Sequence, residues 1–231
     1  MADDILSKAA ILQRDGQTYA IMAPLVGGIM DLPTARRIAR ACEDFGVKGL
    51  KITGAQRLAL LGIGAEDIDK TYDALEVKPQ VGAALCQQYV KVCPGNSFCT
   101  RGQRDTVSFA QRLMDRFHPF PKITSKVKIG IAGCYNSCAE PAIKDIGLIG
   151  LSKGWIVMAG GAGGKEPILG KVIARNLSDD QVLDLLEAIL KYYRGSSARH
   201  ATRNMRLGGI LQKEGMDRFL RVLGLGQAGD S

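Results

Sequence analysis

Four of the six cysteines fall into two short turns, Cys93 and Cys99 in "CPGNSFC" and Cys134 and Cys138 in "AGCYNSC". This pattern constrains the fold more than any other feature of the chain. The pairs read C-x5-C and C-x3-C, with Cys99 and Cys134 35 residues apart. Glycine and proline mark each segment as a turn, and turns leave backbone amides free to point at sulfur, as a charged thiolate site needs. Four thiolates suit either a [4Fe–4S] cluster or a structural zinc ion. Zinc pairs are commonly spaced by about two to four residues, so the longer spacing sits poorly with zinc. A mixed Cys/His zinc site has only His118 and His200 to draw on. The alternative is two unrelated pairs of buried, reduced thiols.

The setting of these thiols comes from the rest of the chain. "MADDILSKAA" has no basic stretch leading into an apolar block, so no signal peptide is expected. The apolar stretches are short and broken by glycine, so no membrane span is expected. A cytoplasmic address is implied, where thiols stay reduced and serve metal or catalysis more than disulfides. The 231 residues are 46% hydrophobic and form one large domain or two small ones. Lys and Arg total 31 against 23 Asp and Glu, a net charge of +8 that fits nucleic acid, an anionic surface or a polyanionic ligand. The basic residues are spread along the chain and few aromatics accompany them, which argues against a nucleic-acid platform.

Local patterns predict an α+β chain in two parts. "TYAIM" (18–22) reads as a strand and "DLPTARRIARACEDFG" as a helix capped by Asp31, with Pro33 in its first turn and Gly46 at its end. Ala35, Ile38, Cys42 and Phe45 share one face of it, which places Cys42 in a core. "GLKIT" (49–53) and "QRLALLGI" (56–63) read as strands and "AEDIDKTYDAL" (65–75) as a helix. In the second part a helix is expected around 106–117, where Phe109, Leu113 and Phe117 recur. "KVKIGIAG" (126–133) alternates, with Val127, Ile129 and Ile131 on one face and Lys126, Lys128 and Gly130 on the other. "DIGLIGL" and "GWIVMAGG" read as strands, "SDDQVLDLLEAILKYY" (178–193) as a helix with a Ser178–Gln181 capping box, and 204–223 as a final helical run. The boundary falls at 78/79. Cys86 lies outside both cysteine turns and has no assigned role.

"AGGAGGKEP" (159–167) invites a phosphate-loop reading and fails it. Ala159 stands where the first glycine should be, and Glu166 follows Lys165 where Ser or Thr should hold magnesium.

Taken in order, these stretches resemble one family. "CPGNSFC" followed by "GCYNSCAEP" is similar to the paired cysteine signature of the nitrite/sulfite reductases, enzymes built on sirohaem coupled to a [4Fe–4S] cluster. "LKITGAQRLALLGI" resembles a strand of that family's ferredoxin-like half-domain. "SKVKIGIAGC" resembles the Lys-x-Lys strand entering the second cysteine pair, and "DIGLIG" and "GWIVMAGGAGG" resemble the family's next strands. The likeness runs over roughly residues 15 to 225. It implies a ferredoxin-like half-domain at 1–78 and an α/β sirohaem and [4Fe–4S] domain at 79–231.

Residue by residue, the resemblance implies that Cys93, Cys99, Cys134 and Cys138 ligate the cluster and that Cys138 is also shared with the sirohaem iron. Asn136 shapes the turn or bonds to sulfur. Sirohaem carries many carboxylates, which gives the positive charge an object. The amides of Gly160, Gly161, Gly163 and Gly164, with Lys165 beside them, are expected to approach a carboxylate of the macrocycle, the alternative being a plain hairpin turn. Lys126 and Lys128 share a strand face and are expected to converge on a small oxyanion, the alternative being a solvated face.

Two departures from the family pattern bear on the anion. Ala55 stands where longer members carry an arginine before Gln56, and Arg57, read as sharing a strand face with Ala55, is the replacement. Lys91 stands for a second family arginine ahead of the first cysteine. The chain also carries one module where larger enzymes carry two, so a homodimer or a more exposed haem is expected to replace the missing half. The run C-x2-C-x2-C of a second cluster is absent, so electrons come from a separate donor such as a ferredoxin. The function implied is six-electron reduction of sulfite to sulfide, with nitrite reduction to ammonia as the alternative. Outside this chemistry stand a sirohaem-free Fe–S electron carrier and a zinc-stabilised, basic nucleic-acid-binding module.

Overall fold

Asp31 approaches its helix in an extended conformation and accepts a hydrogen bond from the Thr34 amide at 2.8 Å, so α1 (Leu32–Asp44) starts where the sequence places its cap. The computed structural model describes residues 3–23, 25–79, 88–117, 123, 126–200 and 205–226. The chain divides into two units, 1–88 and 89–231.

In the first unit, α1 and α2 (Ile68–Ala74) accompany an antiparallel sheet of β1 (Ile11–Leu12), β2 (Tyr19–Ala23), β3 (Gly49–Ile52) and β4 (Leu58–Ile63), in the order β1-β2-β4-β3. Ile21, Leu60 and Ile63 from the sheet and Ile38, Ala41, Ile68 and Tyr72 from the helices form its core. Cys42 packs against that core, where burial pushes its thiol upward. Residues 65–67, expected as the start of a helix, form one 3-10 turn ahead of α2.

The expected strand 56–63 begins two residues late. Gln56 has φ +58°, and Thr53 and Arg57 close a turn: Thr53 N donates to Arg57 O at 2.8 Å and Arg57 N to Thr53 Oγ1 at 3.1 Å. Ala55 and Arg57 therefore do not share a strand face, because both lie in this turn.

The second unit has a five-stranded sheet in the order β5-β6-β7-β8-β9: β5 (Gln88–Val92), β6 (Val127–Ala132), β7 (Ile146–Leu151), β8 (Gly154–Ala159) and β9 (Lys171–Leu177). β6 and β7 run parallel, and the β7–β8 and β8–β9 pairs are antiparallel. One face is apolar and fully buried, with Ile129, Ile131, Ile146, Leu148, Trp155 and Val157. Trp155 meets Phe109 of α4 (Thr106–Phe117), which comes after the short α3 (Gly95–Phe98), with ring centroids 4.6 Å apart. α5 (Asp179–His200) lies beside α4, joined to it by Arg112 with Asp179 and Asp180 and by Arg116 with Asp184 and Glu187.

The capping box at α5 forms as expected, with Ser178 N donating to Gln181 Oε1 at 2.8 Å and Gln181 N to Ser178 Oγ at 3.3 Å. The helix runs on past 193 to His200, with Ser196 and Ser197 buried along it. The final run divides into α6 (Leu207–Glu214) and α7 (Met216–Val222) at Gly215, whose φ of +87° breaks the helix. β5 and β9 are strands that the periodicity of the sequence did not announce. Cys86 lies outside the described residues.

Candidate active site

Both cysteine turns gather beside the carboxyl end of β6. Cys93 follows β5 directly, and its backbone amide donates to Ile131 O at 3.0 Å. Its sulfur accepts a hydrogen bond from the Gly133 amide at 3.1 Å, so the residue before Cys134 already points a donor at Cys93. Gln103 N donates to Gly133 O at 2.8 Å, tying the first loop to the second turn again. A β-carbon at Gly133 would stand 3.2 Å from both Gly95 Cα and Arg104 O, so the turns abut backbone to backbone. Cys93, Cys99 and Cys134 are half-buried and Cys138 is exposed. Soft sulfur donors on two abutting turns, with an amide already aimed at one sulfur, are the donor chemistry that a thiolate-held cluster uses, while among the described residues no three metal-binding side chains are grouped closely enough to hold an ion by themselves.

The segment after Cys138 lies on the opposite face of the sheet from Trp155. A β-carbon at Gly130 would meet Ala139 O at 2.7 Å and Lys144 Cγ at 2.9 Å, and one at Gly147 would meet Pro141 O at 2.3 Å. Lys128 stands two residues from Gly130 on that same face. The lysine and the second cysteine turn are thus closer in space than along the chain.

A cluster of cations surrounds Lys128. Its Nζ lies 5.3 Å from the centroid of the Tyr89 ring, and Lys144 Nζ lies 5.6 Å from the same ring. Glu140 bridges Lys91 and Lys144, at 2.8 Å from each, and these two ammonium groups hold its carboxyl at about 2. Asp145 is fully buried and is gripped by the Arg206 guanidinium, while accepting Lys128 N at 2.7 Å and Leu207 N at 3.2 Å. Both nearby carboxylates are therefore engaged elsewhere. Lys128 takes part in no ion pair among the described residues, and burial, with Arg206 and Lys144, lowers the pKa of its ammonium.

Of the residues read from the sequence, the structure brings Lys91 and Lys128 into this group. Lys126, at the exposed start of the strand, adds its charge to the field at Lys128, and its carbonyl accepts the Tyr193 hydroxyl at 3.0 Å. Asn136 is exposed between the two cysteines of its turn. Gly160 and Gly161 are buried. The Gly160 amide donates to Asp145 O at 2.8 Å, so it is spent within the fold and not free for a carboxylate. A β-carbon at Gly161 would meet the carbonyls of Ala142 and Lys144 at 2.5 Å. Gly163, Gly164 and Lys165 are exposed in the connection from β8 to β9. Arg57 is a buried residue of the first unit. Sequence reasoning missed Tyr89, Lys144, Asp145 and Arg206. Lys144 and Asp145 follow the second cysteine turn within seven residues, which is the one signal that could have found them.

Comparison with known proteins bears out the family likeness and the fold. Residues 86–228 match the family model for the nitrite and sulphite reductase 4Fe-4S domain, and residues 11–78 match that for the nitrite/sulfite reductase ferredoxin-like half domain. The assimilatory-type sulfite reductase of Nitratidesulfovibrio vulgaris is 34% identical over 212 residues, covering 91% of this chain and 94% of that protein. The NAD(P)H nitrite reductase of Bacillus subtilis is 31% identical over 80% of this chain, which spans 23% of that longer protein. Among solved structures, the Mycobacterium tuberculosis NirA protein superposes with a TM-score of 0.76 at 17% identity, over 89% of this chain and 39% of that one. Dissimilatory sulfite reductase I does so with a TM-score of 0.76 at 12% identity, over 92% and 70%. The [4Fe–4S] cluster and sirohaem implied by the resemblance are the cofactors of these reductases. The chain belongs to the nitrite and sulfite reductase family of oxidoreductases, as a ferredoxin-like half domain followed by a 4Fe–4S domain.

Proposed function

We propose that this protein is a sulfite reductase that takes electrons from an external donor and delivers them to sulfite beside the Lys128 face of β6. The observation that carries the reading is Lys128 itself. It is a half-buried ammonium with no carboxylate at ion-pair distance among the described residues, Asp145 acting on it only from further away, on the strand that leads into the second cysteine turn. An unneutralised cation in a partly dry setting attracts a small anion strongly.

In this reading Cys93, Cys99, Cys134 and Cys138 would hold the cluster, and Cys138, the exposed one, would be the thiolate open to the sirohaem. Bound there, the two groups supply the electrons and the iron at which the anion is reduced. The chain's own residues bind the anion and supply its charge balance. Lys128, with Lys126 next to it, holds the oxyanion. Lys91 and Lys144, tied to Glu140, add positive field from behind. A lysine whose pKa is lowered also releases a proton more readily than a solvated one, and the reaction consumes protons. Gly161, Gly163, Gly164, Lys165 and the Asn136 side chain are assigned to cofactor contacts as supporting groups.

Sulfite is preferred over nitrite as the substrate because the relative named for sulfite matches this chain over nearly its whole length, whereas the nitrite reductase of B. subtilis is more than four times longer than the part matched. No helix among the described residues is long and apolar enough to cross a membrane. We place the protein in the cytoplasm on its reduced thiols, with a small iron–sulfur protein as donor and a homodimer as its working form.

The test is an anaerobic preparation. Porphyrin bands over a broad cluster shoulder are expected, and sulfite turnover is expected to vanish in the K126M/K128M variant while both cofactors stay bound. A shoulder without porphyrin bands would identify an electron carrier. Colourless protein with stoichiometric zinc would overturn the assignment altogether. Unchanged turnover in the double variant would remove the two lysines from the mechanism.

A further inference from the structure

Behind the first cysteine turn, on the Trp155 face of the sheet, stands a group of side chains that the proposed mechanism leaves unused. Arg104 closes the loop that begins at Cys93. Its backbone oxygen accepts the amide of Asn96, between Cys93 and Cys99, at 3.0 Å, and lies where a β-carbon at Gly133 would press on it. Its side chain leaves the loop in the other direction. Arg104 Nε donates to Leu151 O at 2.9 Å, Nη1 reaches Asp179 Oδ1 at 3.3 Å, and the guanidinium lies 5.8 Å from the Trp155 ring centroid. Trp155, with no exposed surface, donates its Nε1–H to the same Asp179 oxygen at 2.7 Å. A β-carbon at Gly150 would stand 2.9 Å from both Arg104 Cβ and the Trp155 ring, so the strand is bare where the arginine stem crosses it. Next to Arg104, Gln103 Oε1 accepts the Ser152 amide at 2.9 Å.

These contacts join four separate pieces of chain. The loop of the first cysteine pair is fastened to the end of β7, to the turn before β8 and to the first residue of α5. Its other side bears on the second cysteine turn. A cluster held by two turns tolerates little relative movement between them, since every Fe–S bond length depends on it.

We propose that Arg104 is a positioning residue for the cluster: anchored by Asp179 and Leu151, it holds the Cys93–Cys99 loop against the Cys134–Cys138 turn. Arg112 supplies an internal control. It also pairs with Asp179, at 3.0 Å, and with Asp180 at 2.6 Å, yet it lies on α4, and its ion pairs lead to α5 and to neither cysteine turn. If the ion pairs of Asp179 act by stabilising the fold alone, the two arginines are interchangeable. If Arg104 positions the cluster, they are not.

The proposal rests on the four cysteines being the cluster ligands, and one experiment separates the two claims. Wild-type, R104M and R112M holoproteins are prepared without oxygen. Iron per chain, the spectrum of the reduced cluster by electron paramagnetic resonance, the rate of bleaching by an iron chelator, and the urea midpoint are compared. R104M is expected to bleach roughly tenfold to a hundredfold faster than wild type, with an altered resonance spectrum. R112M is expected to match wild type in both while showing a similar urea midpoint to R104M. Equal bleaching of R104M and wild type, or equal acceleration in both variants, would overturn the proposal. Wild type without iron would overturn the ligand assignment itself. Should R104M not fold, R104Q takes its place, because it loses the charge that pairs with Asp179 while Arg112 keeps its own ion pairs. The emission of Trp155, the single tryptophan, then reports whether the group has come apart.

Discussion

Gly130 and Gly147 face each other across the parallel β6–β7 ladder, and the bare strip they leave is where the chain after Cys138 rests on the sheet. Any side chain at either position would stand in the backbone of Ala139–Pro141. The position of the fourth cysteine thus depends on two residues that carry no chemistry.

Gly147→Ala is therefore expected to lower stability by about 1–3 kcal/mol and to reduce iron per chain in the purified protein. Its β-carbon would lie 2.3 Å from Pro141 O. Gly49→Ala, in β3, where nothing lies within 4 Å and no cofactor contact is assigned, is the matched control and is expected to change neither quantity. Urea unfolding and an iron assay read both effects. Full iron occupancy in Gly147→Ala would show that Cys138 does not need this seat.

Lys128 sets an alkaline limit. Burial, then Arg206 and Lys144, lower its pKa, so it loses its proton at lower pH than a solvated lysine does. The cationic form is the one that binds sulfite. Affinity is accordingly expected to fall as pH rises through that lowered value. Lys128→Arg keeps its charge and is expected to move the alkaline rise in KM to higher pH. An unmoved limb would assign it to another group.

Glu214 ties the end of α5 to α6. Its side chain is 6% exposed and takes hydrogen bonds from Tyr192 at 2.5 Å, Arg199 at 3.1 Å and His200 at 2.9 Å. Burial alone would raise its pKa, but these donors outweigh it and hold the carboxyl at about 2, against an ordinary 4.5. A lowered carboxylate pKa stabilises the fold above the ordinary value, and that stability is lost as pH falls toward the lowered one. Glu214→Gln is expected to cost about 2 kcal/mol near neutral pH. The gap from wild type should close between pH 4.5 and about 2. A gap that stays constant with pH would mean that the carboxylate charge contributes nothing.

Ser178→Ala removes one half of the α5 capping box and is expected to cost about 1 kcal/mol, a fall in Tm of about 2–4 °C. Calorimetry on the holoprotein measures it. Loss of iron in this variant beyond the general destabilisation would instead implicate the neighbouring Asp179.

The features legible in the sequence were those that depend on nearest neighbours along the chain. Asp31 and Ser178 announce their helices because a cap acts across three residues. Val127, Ile129 and Ile131 announce β6 because alternation is local. The four cysteines support the expectation of a metal centre because turn residues and spacing travel with them. Arg57 shows the limit. Its strand face was read from an alternation that Gln56, at φ +58°, interrupts, and left-handed backbone at a non-glycine residue has no reliable sequence mark.

Residue order was enough to mark two cysteine segments that the fold sets against each other, to set two lysines on one strand face near them, and to reveal the family likeness. Packing settled that the strand-face residues Lys126 and Lys128 make no ion pair among the described residues. Glu140 and Asp145 take Lys91, Lys144 and Arg206 for themselves, through contacts that span up to 61 residues of chain. Packing also put Arg104, Trp155 and Asp179 behind the first cysteine turn. Such groupings depend on which strands are neighbours and on where glycine lets backbones touch. No pattern confined to a few consecutive residues encodes either.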